Sequence, residues 1–311
     1  MATYKELHGI NVQYRDSDAT AIEGDVWYNS STGKLKMYAA LGSWASGGTL
    51  NTGRHAGSGS GSATAAIIFA GQDPKYAIAE TYDGSTWTEV NDLNQARSTL
   101  SAAGQAPQTT ALAFGGIEPA LSDKTELYNG TSWTELGDLN LAGGYGAGFG
   151  TSTAAVYALR YPASADTEEW NGTSWTEVTN NPAAYYGASG SGTLTAGLIF
   201  GGTSADDATF EYDGTNWTAG GDLTTGRDNI QGVGTQTATV AFGGQEPATS
   251  AKTEDYNGTA WTEVADLAVA RHSLMPAGIS SLAAIAAGGS DNPTNTEAWV
   301  VAASVETVAF D

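Results

Sequence analysis

The chain has 311 residues, 12 basic and 34 acidic side chains for a net charge of −22, 41 glycines and no cysteine. Without cysteine, disulfides, thiolate metal sites and cysteine nucleophiles are excluded, and so strongly acidic a surface repels phosphate backbones and anionic lipid, which argues against nucleic-acid and membrane partners. No hydrophobic run approaches the roughly 18 residues of a membrane span, and Met1-Ala-Thr-Tyr-Lys-Glu6 puts no apolar stretch behind a basic start, so no secretory signal is expected.

Residues 1–49 hold four basic against five acidic side chains, so nearly all the negative charge lies on residues 50–311. Gly24-Asp-Val-Trp-Tyr-Asn-Ser-Ser-Thr-Gly-Lys-Leu-Lys-Met-Tyr38 reads as two strands around an Asn-Ser-Ser-Thr-Gly turn, with Trp44 beyond them. This stretch resembles a short hairpin module of phage tail fibres and other virion proteins, with its Gly-Asp-hydrophobe-Trp-Tyr-Asn start, later Gly-x-Leu-x-x-Tyr and final Trp. The resemblance covers about an eighth of the chain. It implies attachment to other virion proteins through residues 1–49, and a virion location reached by host lysis rather than secretion. The segment is also in phase with the rest of the chain, because Tyr38 lies 44 residues before Tyr82 and Trp44 lies 43 before Trp87. It fits outer strands that close a ring, or the start of an incomplete seventh blade, as well as it fits a separate attachment module.

From residue 50 onward one hairpin tip recurs five times: Tyr82-Asp-Gly-Ser-Thr-Trp87, Tyr128-Asn-Gly-Thr-Ser-Trp133, Trp170-Asn-Gly-Thr-Ser-Trp175, Tyr212-Asp-Gly-Thr-Asn-Trp217 and Tyr256-Asn-Gly-Thr-Ala-Trp261. A period near 43 with Asn-Gly or Asp-Gly between aromatic strands marks a four-stranded blade repeated about an axis. Each repeat opens with leucine (Asn181 in repeat 4) and, in four repeats, an arginine four residues later: Arg54, Arg97, Arg227 and Arg271. A strand of small residues comes next, then an apolar strand ending in diglycine, such as Ala111-Leu-Ala-Phe-Gly-Gly116, then Thr-Glu-x-Tyr, then the tryptophan strand. In repeat 6, Thr296-Glu-Ala-Trp299 replaces the tyrosine strand and Ser304-Val-Glu-Thr-Val-Ala-Phe310 is the expected outer strand. Small residues suit a crowded inner wall, apolar runs suit a strand covered on both faces, and Trp87, Trp133, Trp175, Trp217 and Trp261 are large enough to fill the widening wedge between blades.

The order arginine, Phe-Gly-Gly, Glu-x-Tyr, tryptophan resembles the kelch repeat over about five-sixths of the chain, with a shortened outer hairpin as the one departure. The expected fold is all-β: a six-bladed kelch-like β-propeller over residues 50–311, with seven blades the alternative, and a short N-terminal β-hairpin extension over 1–49. Glu80, Glu126, Glu168, Glu254 and Glu297 stand two residues before the aromatic, on its face of the strand. Repeats 1, 2, 5 and 6 carry both arginine and glutamate; repeat 4 has Tyr185 and Phe210 instead. Repeat 3 keeps Glu168, has Gly143 at the arginine place, and puts Arg160 where others have diglycine. Joint loss of both partners points to a structural Arg–Glu pair.

No Gly-x-Ser-x-Gly elbow, P-loop, His-Glu-x-x-His or EF-hand loop occurs, and no cofactor or metal is expected. Kelch-type propellers include copper oxidases, but the cysteine their chemistry requires is missing here. His55 and His272 occupy equivalent places in repeats 1 and 6, while His8 lies outside the repeats; two histidines without a third ligand make a poor metal site. The Asn-x-Thr sequons at Asn129, Asn171, Asn216 and Asn257 are turn chemistry. The expected function is that of a non-enzymatic bacteriophage structural protein, a tail-fibre-like adhesin or surface decoration. The alternative is a microbial kelch-like module that binds carbohydrate or protein. A ligand patch is expected where the repeat breaks, at Tyr145, Arg160, Tyr161, Tyr185 and Tyr186, facing a host surface glycan or protein.

Overall fold

The computed structural model describes residues 12–18, 25–72, 74–203 and 207–307; His8, Gly24 and positions 308–310 lie outside them. The chain divides into two compact units, Met1–Ser43 with Val301–Asp311, and Trp44–Val300. This differs from the 49/50 boundary expected from sequence: residues 44–49 go with the repeats, and the chain from Val301 on goes with the N-terminal segment.

Residues 44–300 form a β-propeller. Repeats 1 to 5 each give one four-stranded antiparallel sheet, its strands adjacent in chain order. In repeats 2 and 5 a two-stranded ribbon, Ile117–Glu118 with Ala120–Leu121 and Gln245–Glu246 with Ala248–Thr249, is inserted before the third strand. The inner strands are Ser58–Ser62, Ser101–Ala102, Ala147–Thr151, Ser189–Thr193, Gln231–Thr235 and Met275–Ser280, and each touches the next, the last returning to the first. Their glycines and serines let backbones approach: a Cβ at Gly190 would crowd the Gly148 carbonyl of the preceding inner strand.

The sixth repeat takes its outer strand from residues that precede the first repeat. Within residues 44–300 its sheet runs Met275–Ser280, Ala283–Ala287, the stretch from Thr296 to Val300, and then the stretch from Trp44 to Ser46. Within residues 44–300, Trp44–Ser46 is the outer strand of that sheet, and Gly47 N donates to Thr296 O at 2.8 Å. Trp44 stands where the tip tryptophans stand elsewhere. It packs at 5.0 Å on Phe242 of repeat 5, as Trp133 packs on Phe69, Trp175 on Phe114 and Trp261 on Phe200. Its indole N–H donates to Thr253 Oγ1 at 3.0 Å, matching Trp87 to Thr296, Trp175 to Thr125 and Trp261 to Thr209. The five tip tryptophans are all buried, at 5–8% exposure. In repeat 3 the phenylalanine place holds Ala158, and Phe149 from the inner strand reaches Trp217 instead, filling space that Gly197 leaves open.

A closed circuit of backbone hydrogen bonds surrounds the axis. Two residues after the arginine place, each repeat has a residue in the left-handed region: Ala56, Thr99, Tyr145, Gly187, Asn229 and Ser273, with φ from 49° to 78°. Thr99 N donates to Ala56 O, Tyr145 N to Thr99 O, Gly187 N to Tyr145 O, Asn229 N to Gly187 O, Ser273 N to Asn229 O, and Ala56 N to Ser273 O, at 2.6–3.1 Å.

In the other unit, Val12–Arg15 runs parallel to Val26–Asn29, which pairs antiparallel with the strand that begins at Lys34. Trp27 is fully buried, with its indole N–H on Asp18 Oδ1 at 3.1 Å and Arg15 over its ring at 5.0 Å. Arg15 also pairs with Asp25 at 2.7 Å, and Asn29 Oδ1 accepts from Thr32 N to hold the turn.

Ring closure of this kind makes Trp44 as important to stability as the tip tryptophans. Trp44→Ala should cost about 3–5 kcal/mol in denaturant unfolding, as should Trp133→Ala or Trp175→Ala; a cost below about 1 kcal/mol for Trp44→Ala alone would remove it from the ring. Gly187→Ala meets only ordinary contacts, the nearest being Thr203 Cγ2 at 3.5 Å. Its cost should therefore be the left-handed penalty of roughly 1–2 kcal/mol and no more.

Candidate functional site

Beneath the hydrogen-bonded circuit lies a layer of buried ion pairs. Arg54, Arg97, Arg227 and Arg271 are wholly buried and pair with Glu80, Glu126, Glu254 and Glu297. Arg97 and Arg227 reach their glutamates at 2.8 and 2.7 Å, and also donate to backbone carbonyls, Arg97 to Gly115 and Lys124, and Arg227 to Thr225, Gly243 and Lys252. The second glutamate oxygen accepts backbone N–H groups at the start of the repeat: Asn51, Asn94, Thr224 and Ala268. Where the leucine is followed by asparagine, the amide also bridges the glutamate to a tryptophan carbonyl, as Asn94 does between Glu126 and Trp133 O. Leu50-Asn51, Leu93-Asn94 and Leu139-Asn140 thus carry a repeated clamp. Sequence reasoning does not single out these asparagines, although the recurring Leu-Asn dipeptide is a signal that could have found them.

Repeat 3 keeps its pair by another route. Arg160 enters from the far end of the apolar strand and meets Glu168 at 2.9 Å and Asp166 at 3.5 Å. Its stem fills the place of the missing side chain at position 143, where any Cβ would collide with Arg160 Cδ. In repeat 4, Tyr185 fills the arginine place, fully buried and packed against Gly202. Burial pushes its hydroxyl well above the ordinary tyrosine range.

These positions correct the expected ligand patch. Arg160 is only 2% exposed and Tyr185 not at all, because both repair the interior and neither faces solvent. Tyr145, Tyr161 and Tyr186 do come together. Their ring centroids are 6.5 Å apart for 145 and 161, 6.1 Å for 145 and 186, and 5.2 Å for 161 and 186. Tyr161 is 43% exposed and the other two are half-buried. Three loops deliver them: Tyr145 belongs to the hydrogen-bonded circuit, Tyr161 bridges to Gly144, and Tyr186 comes directly after the arginine place of repeat 4.

Two small cavities lie on the axis. One of about 60 Å³ runs between inner strands past Ser58, Ser101, Ser189, Ser191 and Gln231. Gln105 Nε2 crosses it to Gly234 O, from repeat 2 to repeat 5, at 2.6 Å. The other, about 50 Å³, opens among Thr99, Tyr145, Asn229 and Ser273. Nearby, His55 Nε2 meets Gln72 Nε2 at 3.0 Å and His272 Nδ1 meets Ser273 Oγ at 3.1 Å. Burial holds His272 below the ordinary value of 6.5; Asp291 opposes this, the neighbouring His55 adds to it, and Asp228 opposes it. Among the described residues no group of three or more His, Cys, Asp or Glu side chains is placed to hold a metal ion.

Arg160→Gly should cost about 3–5 kcal/mol by stranding Glu168. The double change Gly143→Arg with Arg160→Gly restores the arrangement of the other repeats and should recover most of that loss in denaturant unfolding; no recovery would mean Arg160 acts other than through the pair. His272 binds a proton less readily folded than unfolded, so its contribution to stability is full above about pH 6.5 and falls as pH drops below that. His272→Gln should flatten the melting-temperature profile there.

No protein-family model matches the chain, nor does any curated protein. Among solved structures it is similar to one titled "Structure of YjhT", at 13% identity and a TM-score of 0.65, over 85% of this chain and 98% of that one. At that identity the likeness is one of fold, and it supports the β-propeller.

Proposed function

We propose that this chain is a non-enzymatic bacteriophage virion structural protein, a tail-fibre-like adhesin or surface decoration, that displays a six-bladed kelch-like β-propeller. The observation that carries it is the hairpin of residues 24–38, whose pattern resembles virion modules. Its marked residues are spent on making a small stable platform: Asp25 on Arg15, Trp27 in the core, Asn29 on the turn. In this reading the unit engages other virion proteins and the ring faces the host. Support for six blades is the single cycle of six inner strands and six backbone hydrogen bonds. The non-enzymatic reading is supported by the use made of the buried carboxylates: each described Arg–Glu pair also ties backbone amides, so these glutamates are spent on holding the fold. The tyrosine trio favours a second reading, a kelch-like carbohydrate- or protein-binding module that acts off the virion.

The test is incorporation. Trp27→Ala in the full-length chain empties the core of the hairpin unit while leaving residues 44–300 unchanged. The variant should be absent from purified particles that contain the wild-type chain, with its main unfolding transition retained. Wild-type incorporation of a variant whose hairpin is demonstrably unfolded would reject attachment through this unit.

A further inference from the structure

We propose that Tyr145, Tyr161 and Tyr186, with the axial opening beside them, form a binding site for a neutral oligosaccharide. The proposal holds for a virion-borne ring and for a free module alike.

The repeat itself supplies the first argument. Each tyrosine is the only Tyr, Phe or Trp among its six equivalents. Opposite Tyr186 stand His55, Ser98, Gly144, Asp228 and His272; opposite Tyr145 stand Ala56, Thr99, Gly187, Asn229 and Ser273. The residue after the diglycine is Gln72, Ile117, Thr203, Gln245 or Ser290 where repeat 3 has Tyr161. Packing therefore asks for no large ring at any of these places, yet all three fall at the seam of repeats 3 and 4. Refilling of vacated interior space does not account for them, because Arg160 and Tyr185 already fill it from within.

Chemistry supplies the second. Among the described residues no hydrogen bond engages the three hydroxyls, whereas Tyr212 and Tyr256 donate to Glu169 and Glu211 at 2.7 and 2.8 Å. Phenols without hydrogen-bond partners beside the exposed Tyr161 ring suit a pyranose, whose C–H face stacks while its hydroxyls exchange hydrogen bonds. The opening among Thr99, Asn229 and Ser273, about 50 Å³, has room for a hydroxymethyl or similar small substituent with polar partners around it. Charge selects against acidic sugars. Arg160, the basic side chain in the loops that carry the trio, is turned inward and paired, and the chain as a whole carries −22.

The full-length protein is applied to an array of neutral, sialylated and uronate-containing oligosaccharides, alongside Tyr161→Ala, Tyr186→Ala and Tyr161→Phe. Wild type should bind at least one neutral glycan, and each alanine variant should weaken that binding at least about tenfold at unchanged melting temperature. Tyr161→Phe should lose less, because it keeps the stacking face. If Tyr186→Ala proves unstable, Tyr161→Ala still decides, since its ring is largely outside the core. Failure to bind any neutral glycan, binding to acidic glycans alone, or full binding by Tyr161→Ala would each overturn the site. Glycan binding by a wild-type chain that is itself absent from purified virions would leave this site standing and reject only the attachment reading.

Discussion

Everything in residues 44–300 is organised around the closed circuit of backbone hydrogen bonds at the axis. Each of Ala56, Thr99, Tyr145, Gly187, Asn229 and Ser273 donates to one neighbour and accepts from the other, so the circuit exists only when all repeats are in place. Its energy is close to neutral. Six hydrogen bonds at roughly 1 kcal/mol net are set against five non-glycine residues held left-handed at roughly 1–2 kcal/mol each. A feature that contributes so little and is kept in every repeat acts on geometry: it fixes how many repeats fit and how their inner strands are spaced. Stability comes from the rim, where each buried tryptophan closes the wedge to the preceding blade, and Trp44 does so for the blade the repeat itself leaves unfinished.

The ion-pair layer links those two levels. The arginine lies two residues before the circuit and the glutamate two residues before the rim aromatic, so one buried contact ties the axis end of a blade to its outer half. The requirement is for something large to fill that place and satisfy the glutamate, rather than for arginine at a given position. Repeat 3 meets it from the opposite strand end with Arg160, and repeat 4 removes the glutamate and fills with Tyr185. Removing a buried partner is costly while replacing the whole pair is not, which is why the two departures take these two forms and Glu80, Glu126, Glu168, Glu254 and Glu297 each keep an arginine.

Much of this was legible in the sequence, and the limits were physical. Tip spacing marks the blade, while the phase of Trp44 fits ring closure, an incomplete seventh blade or a separate module equally well. What spacing could not give was direction. Arg160 comes after an apolar strand at a loop end, and residues there commonly point outward; only the cavity at Gly143 shows why it turns in. The boundary at 49/50 missed for a similar reason. Trp44 is six residues before the first leucine, but its partners Phe242 and Thr253 are some two hundred residues away, and only a closed ring brings them near. The left-handed circuit left no compositional trace, since Ala, Thr, Tyr, Gly, Asn and Ser share no property that marks the place.

That absence of a shared property bears on where a binding surface could arise. Because the circuit is made by backbone atoms, its side chains are free of the fold, and they vary from Ala56 to Tyr145 without disturbing a hydrogen bond. The residues beside them also differ from repeat to repeat, from Gly144 to Tyr186. In repeats 2, 5 and 6 the loop above the arginine is anchored by guanidinium bonds to the diglycine carbonyl, as Arg97 anchors Gly115, Arg227 anchors Gly243 and Arg271 anchors Gly288, whereas Arg54 of repeat 1 donates to Thr52 O and Glu80. Repeats 3 and 4 lack that anchor because Arg160 comes from the loop itself and Tyr185 offers no donor to it among the described residues. These are the two repeats that carry Tyr145, Tyr161 and Tyr186. The seam most altered inside, by Arg160 and Tyr185, is therefore also the seam whose surface departs most from the repeat, with Tyr145, Tyr161 and Tyr186.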